Sequence, residues 1–305
     1  MYILKGCGRV FYYYRKERPL GRSFLGHEGH NVNRQTMTFK IGFIGTGKMA
    51  SAIIKGTVAK GVFKKDEIIA SNIHEASRER ARKELGIEVT GSSAEVAEKA
   101  DVIVLAVKPQ QIPDVFADKS IKMGKNHLLV SIAAGTTIET LKMHVPDSRI
   151  IRVMPNICST NFVGASGFSV GEGCTAEDVR IVEEIFGAVG LCFEVKEKDI
   201  DAVSGLSGSG PAFVFMVIDA MADAGVLMGL PRDLSLKLAA QTVMGSAVTV
   251  LESGEHPDVL KDKVCSPGGT TIEGVKVLED YGIRAAFISA VQASVEKARE
   301  LGRKD

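Results

Sequence analysis

The segment Ile41-Gly42-Phe43-Ile44-Gly45-Thr46-Gly47-Lys48-Met49-Ala50 constrains this chain more than any other. A short apolar run ends at Ile44, a G-x-G-x-x-A pattern follows, and a helical pattern opens behind it. That is the context in which a dinucleotide fingerprint has physical meaning. Gly45 makes the tight turn, Gly47 lets backbone approach a pyrophosphate, and Ala50 permits close packing of the helix. The phosphates then rest on the helix N-terminus, so Ile44, Gly45, Thr46, Gly47, Lys48 and Met49 form the expected phosphate turn.

Downstream, short apolar runs alternate with amphipathic segments, the pattern of a parallel βαβ sheet. Strands are expected at 40–44, 68–71, 87–89, 102–107, 128–132, 149–154, 165–170 and 191–195. Thr136 with Glu139, and Thr175 with Asp178, have the spacing of a capping box. After about Lys198 only helices are expected, at 211–228, 232–253, 257–264, 271–279 and 284–301, with Pro211 and Pro231 in first turns. The fold class is therefore α/β: a Rossmann-type doubly wound sheet over residues 38–198, followed by an all-helical domain over 199–305. Residues 211–230 are apolar around most of a helix and must be buried on all sides. A hundred residues of such helices cannot bury themselves, so an interlocking second subunit is expected.

Residues 1–37 have neither period. They carry seven Lys/Arg against two Asp/Glu, which leaves the other 268 residues at a net −4. The segment is Arg-rich like a transit peptide, but it is poor in serine and has no amphipathic stripe. It reads as an extension outside the fold, before a start at Met37. The mildly acidic body makes nucleic acid an unexpected partner. Asp219 and Asp223 interrupt the most apolar stretch, so no membrane span is expected. Five scattered cysteines without a CxxC pair indicate neither a metal site nor a disulfide framework, and fit a reducing cytoplasm.

An NAD site usually carries Asp or Glu at the end of the second strand. Here that strand ends Ile69-Ala70-Ser71-Asn72, with Arg78 and Arg80 behind it. Neutral donors there suit a 2'-phosphate, so NADPH is the expected cofactor and NADH the lesser one. One or both arginines can instead belong to a solvated helix face. The loops Ala106-Val107-Lys108-Pro109 and Ala133-Ala134-Gly135 follow strands, where ligands bind in open α/β sheets, and their small residues admit a nicotinamide ribose and ring. Far downstream, Ser266-Pro267-Gly268-Gly269-Thr270-Thr271 precedes a helix. Its run of free N–H groups flanked by hydroxyls forms a second anion cradle, suited to a substrate carboxylate.

At these residues the sequence resembles the pyrroline-5-carboxylate reductases. The resemblance lies in Asp262-Lys263-Val264-Cys265-Ser266-Pro267-Gly268-Gly269-Thr270-Thr271-Ile272-Glu273-Gly274, in Ser204-Gly205-Leu206-Ser207-Gly208-Ser209-Gly210-Pro211, and in Arg152-Val153-Met154-Pro155-Asn156. It implies NAD(P)H-dependent reduction of L-1-pyrroline-5-carboxylate to L-proline, the last step of proline biosynthesis. It also implies a homodimer through the C-terminal helices, which can assemble into a homodecamer. By the resemblance, Thr271 sits beside the ring nitrogen, and Ser266, Gly268, Gly269 and Thr270 hold the carboxylate. Glu197 lies near the ring, Asn72 meets the 2'-phosphate, and Ser93 stands where many members have Asn.

The chemistry agrees with what the sequence lacks. A carbonyl reductase needs a strong acid for the forming alkoxide, whereas a cyclic imine can arrive already protonated on nitrogen. A β-hydroxyacid dehydrogenase, the nearest enzymatic alternative, has a lysine shortly after a G-x-x-G-x-G segment. Here Gly205 to Gly210 is followed by Pro211-Ala212-Phe213-Val214-Phe215. An NADPH-binding regulator without turnover would be expected to lose the second cradle, which is intact.

Overall fold

A computed structural model describes residues 39–302. The expectations for residues 1–37 lie outside the described residues. All eight strands form: β1 (Phe39–Ile44), β2 (Ile68–Ser71), β3 (Glu88–Thr90), β4 (Ala100–Leu105), β5 (Leu128–Ser131), β6 (Arg149–Met154), β7 (Gly164–Val170) and β8 (Gly190–Glu194). They make one sheet in the order β3-β2-β1-β4-β5-β6-β7-β8. Its direction departs from expectation at one place, because β7 runs antiparallel to β6 and β8 is parallel to β7. Only residues 155–163 join β6 to β7. That is too short for a right-handed crossover, so the chain can only turn back.

Helices α1 (Lys48–Ala59), α2 (Glu75–Leu85), α3 (Ser93–Lys99), α4 (Ile112–Ala117), α5 (Ile138–His144) and α6 (Ala176–Gly187) accompany the sheet. The sheet has a core on each face. Phe43, Ile54, Val104, Val130, Phe168 and Phe186 pack in one, and Ile69, Ile103, Leu105, Leu129, Leu141 and Ile150 in the other. Each such side chain contributes about 1.5–3 kcal/mol by leaving water. Thr175 and Asp178 form the expected capping box of α6. The other box does not form. Thr137 caps α5 by accepting from Thr140 N at 3.1 Å, while Thr136 is buried with its hydroxyl unpaired among the described residues. The helix starts one residue later than the spacing suggested, and its first N–H, that of Ile138, donates to Glu197 Oε1, 59 residues away.

The described residues divide into two compact units. One comprises residues 39–217 and 282–302, the other Ile218–Tyr281. The first helical segments beyond residue 198 pack on the sheet, which places them in the first compact unit. A 3-10 turn (Glu197–Asp199), α7 (Ile200–Val203) and a π turn (Ser204–Gly208) lie along β6 and β7. Helix α12 (Ile283–Gly302) lies against the π turn. Helix α8 (Gly210–Leu227) begins in this unit and ends in the other.

The second unit continues with α9 (Arg232–Ser253), α10 (Pro257–Val264) and α11 (Thr270–Asp280). Helices α8 and α9 approach closely at Gly225, where a Cβ would stand 2.7 Å from Ser235 Oγ. Pro231 is the N-cap of α9 and not a first-turn residue. Burial on all sides, expected for residues 211–230, is absent from the single chain. Only Ala222 of α8 is buried, while Met216 and Leu227 are 72% and 79% exposed. By length and composition alone, Glu197–Leu227 and Arg232–Ser253 are long and apolar enough to cross a membrane.

Candidate cofactor and anion sites

Strand order reverses between β1 and β4, and ligands of open α/β sheets bind beyond the carboxyl ends of strands at such a switch point. The loops at 45–49, 106–109 and 133–135 all leave this edge. Gly45 has φ +102°, and a Cβ there would lie 2.7 Å from Ala106 O, so the turn after β1 and the loop after β4 touch through a position only glycine can occupy. Gly47 has ordinary φ and open space where a Cβ would be. Its missing side chain leaves room at the N-terminus of α1, which no side chain caps. The first-turn N–H groups lack intrahelical partners and are open to an anion. The turn therefore fits a dinucleotide pyrophosphate. Lys48 and Ala134 are exposed beside it, as is Lys108, whose N–H bonds Gln111 Oε1.

At the adenosine end, Ser71 and Ser93 hydroxyls are 3.1 Å apart, which brings β2 and the start of α3 together. The Asn72 carboxamide is oriented at both ends. Its Nδ2 donates to Thr46 Oγ1 at 2.9 Å and its Oδ1 accepts from His74 N at 3.0 Å. Arg78 is neither a free anion ligand nor part of a solvated face: it donates to the carbonyls of Asn72 and Ile73 and pairs with Glu75, bracing the loop. Arg80 is exposed. The braced wall presents the neutral side chains of Ser71, Asn72 and Ser93 at the end of β2, where a carboxylate would repel a 2'-phosphate. Asn72→Asp puts a carboxylate in the same orientation, and the NADPH/NADH ratio of kcat/KM is expected to fall at least about tenfold by like-charge repulsion. A ratio unchanged in steady-state assays would overturn this assignment.

The second cradle is in the Ile218–Tyr281 unit. Gly268 has φ +65°, Gly269 N donates to Ser266 O at 3.0 Å, and a Cβ on Gly269 would lie 2.2 Å from Ser266 Oγ. Helix α11 starts at Thr270 with Gly269 as its N-cap and no side chain on its open N–H groups. Thr270 and Thr271 are thus its first two residues and do not cap it. Ser266, Gly268, Gly269, Thr270 and Thr271 are gathered into one turn, as the spacing implied.

Strand β8 runs opposite to β1–β6, and its last residue, Glu194, is in register with Phe168 and through it with Val153, near the carboxyl end of β6. Glu197 Oε1 accepts from Ile138 N at 2.7 Å and faces Arg152 Nη1 at 3.6 Å. Its carboxylate holds α5 and a buried guanidinium, and Arg152 is itself in register with Ser131, Leu105 and Ile44 at the carboxyl ends of β5, β4 and β1. Arg152, 5% exposed, also pairs with Asp201 at 3.7 Å. Arg152, set among the apolar residues Ile150, Ile151, Val153 and Met154, was the sequence signal for this cluster. Burial pushes the thiols of Cys158 and Cys174 up and that of Cys192 up to about 12, which keeps these three protonated.

Comparison with known proteins accords with this arrangement. Residues 197–301 match the family model described as pyrroline-5-carboxylate reductase dimerisation, and residues 40–135 match NADP oxidoreductase coenzyme F420-dependent. A pyrroline-5-carboxylate reductase of Methanosarcina acetivorans is 47% identical over 87% of this chain and 98% of its own length. The solved reductase of Coxiella burnetii superposes with a TM-score of 0.81 at 37% identity, covering 87% of this chain and 98% of that one. That of Plasmodium falciparum, with NADP bound, gives 0.77 at 33% identity, covering 88% and 99%. With its phosphate turn, its S-P-G-G-T-T cradle and this likeness along nearly the whole length of its relatives, the chain belongs to the pyrroline-5-carboxylate reductase family.

Proposed function

We propose that this protein reduces L-1-pyrroline-5-carboxylate to L-proline, with NADPH as the preferred hydride donor and NADH the lesser one. The observation that carries the reading is the presence of two separate uncapped helix N-termini with glycine turns, at α1 and α11. One matches a dinucleotide pyrophosphate, and the other leaves a cradle for the carboxylate of a small substrate. Bound NADPH supplies a hydride to C5 of the imine. The protein's residues have the remaining tasks. Gly45 to Met49 hold the pyrophosphate, Ser71, Asn72 and Ser93 the adenosine ribose, and the loops at 106–109 and 133–135 the nicotinamide end. Ser266, Gly268, Gly269 and Thr270 fix the carboxylate. The Thr271 hydroxyl hydrogen-bonds the ring nitrogen, which arrives protonated, so hydride addition gives the amine without an enzymic acid. Rate then comes from proximity and orientation.

Purified protein is expected to oxidise NADPH on addition of pyrroline-5-carboxylate; binding of NADPH with no turnover would remove the enzyme reading. Thr271→Ala is expected to lower kcat about 10- to 100-fold while the NADPH Kd stays within about twofold. An equal fall in both would reject the role given to its hydroxyl.

The working unit in this reading is a homodimer. Its support is the exposure of the apolar faces of α8 and α9, which a second copy covers. The homodecamer that the resemblance implies is then an assembly of such dimers, which a solution mass tests. A cytoplasmic location accords with the free thiols of Cys158, Cys174, Cys192 and Cys265.

A further inference from the structure

From Glu197 to Leu227 the chain is helical apart from Ser209, yet Pro211 lies inside this stretch. A proline cannot donate to the carbonyl four residues back, here Ser207 O, and its ring crowds that carbonyl. The helix widens just before it into the π turn, closed by Ser209 N donating to Ser204 O at 2.9 Å. The Ser207 carbonyl then finds its donor outside the helix. Asn156 Nδ2 donates to it at 3.0 Å, while Asn156 Oδ1 accepts from Ala165 N at 3.2 Å. Asn156 is buried and stands two residues beyond the carboxyl end of β6, on the same sheet edge as the cofactor loops. Both ends of its carboxamide are engaged, so it ties the helix to that edge in one orientation.

The tie extends further. A Cβ on Gly205, in the π turn, would fall 2.4 Å from Val295 Cγ2 and 3.1 Å from Val291 O, so the turn and α12 are in direct contact. At the other end of α12, a Cβ on Gly302 would lie 3.1 Å from Gly135 O, in the loop after β5. A continuous series of close contacts therefore runs from Asn156 through the π turn and α12 to the loop at 133–135.

We infer that Asn156 is a positioning residue for hydride transfer: by holding the Ser207 carbonyl that Pro211 releases, it fixes the π turn and, through α12, the loop at 133–135. The inference rests on the reading that this loop meets the nicotinamide. Asn156→Asp places a carboxylate oxygen against the Ser207 carbonyl. Its kcat is expected to fall about 10- to 100-fold, as for a small misplacement of reacting groups. The NADPH Kd stays within about twofold, and the kinetic isotope effect with NADPH deuterated at the transferred position rises. Wild-type kcat and isotope effect in this variant would overturn the inference, as would a loss of NADPH affinity that accounts for the fall in rate.

A second pair separates positioning from folding. Asn156→Ala leaves the Ser207 carbonyl unpaired, and adding Pro211→Ala gives it back an N–H within the helix. The double variant is expected to regain thermal stability and keep its low kcat, because the tie to the sheet edge is still missing. Recovery of kcat together with Tm would show that Asn156 only stabilises the helix. Wild-type protein that binds NADPH without oxidising it would be a different failure, that of the reductase reading itself.

Discussion

Gly45→Val is expected to weaken NADPH binding by more than about 100-fold while leaving the sheet folded. At φ +102° an L side chain is strained by about 1–3 kcal/mol, and the new Cβ would meet Ala106 O at 2.7 Å and Val107 Cγ1 at 3.2 Å. Ala106 N is bonded to Ile44 O at 2.8 Å, so the loop after β4 cannot withdraw without opening the ladder at the switch point. Displacing either loop moves part of the phosphate turn. Gly47→Ala is the control, since its Cβ enters open space at a φ any residue adopts. That variant should keep wild-type Tm and lose about tenfold in NADPH affinity, because the methyl occupies the room left for the pyrophosphate. Fluorescence titration measures both. NADPH bound by Gly45→Val within about threefold of wild type would show that the turn does not hold the cofactor.

The second large effect is on stability. Arg152→Met is expected to destabilise the protein by about 2–4 kcal/mol, measured by urea denaturation at fixed protein concentration. Removing one partner of a fully buried ion pair costs about 3–5 kcal/mol, because the remaining charge is left uncompensated. The value is lower here because Glu197 and Asp201 are 35% and 27% exposed and partly screened by water. The guanidinium is nonetheless the cation between two carboxylates, and one of them also satisfies the first N–H of α5. Adding Glu197→Gln and Asp201→Asn to Arg152→Met should recover part of the loss. A destabilisation below about 0.5 kcal/mol would mean that the cluster is not a structural anchor.

Which features were legible in the sequence follows from how locally each is specified. Eight strands appeared where short apolar runs predicted them, because a strand covered on both faces needs only such a run. The direction of β7 was not visible in its own residues and followed from the short link before it. Thr175 and Asp178 cap α6 as their spacing implied, since both partners lie in one turn. The equivalent reading of Thr136 and Glu139 failed by one residue, since Thr137 caps the helix, and the Ile138 N–H finds its partner in Glu197, far away in sequence. The glycines at 45, 268 and 269 were legible because each is required by its own turn. Asn156 and Arg152 stood inside a quoted motif, but their partners at 165, 197, 201 and 207 could be found only in the fold.

By itself, the sequence determined the phosphate turn, the second anion cradle, the α/β class and the order of elements. Each depends on a few consecutive residues, whose φ requirement, missing Cβ or apolar period acts locally. Only the tertiary structure decided the antiparallel return at β7, the meeting of Glu197 with Ile138 N and Arg152, and the capture of the Ser207 carbonyl by Asn156. These depend on which buried polar groups meet across long separations: a carbonyl, guanidinium or N–H taken out of water must find a partner wherever the packing brings one.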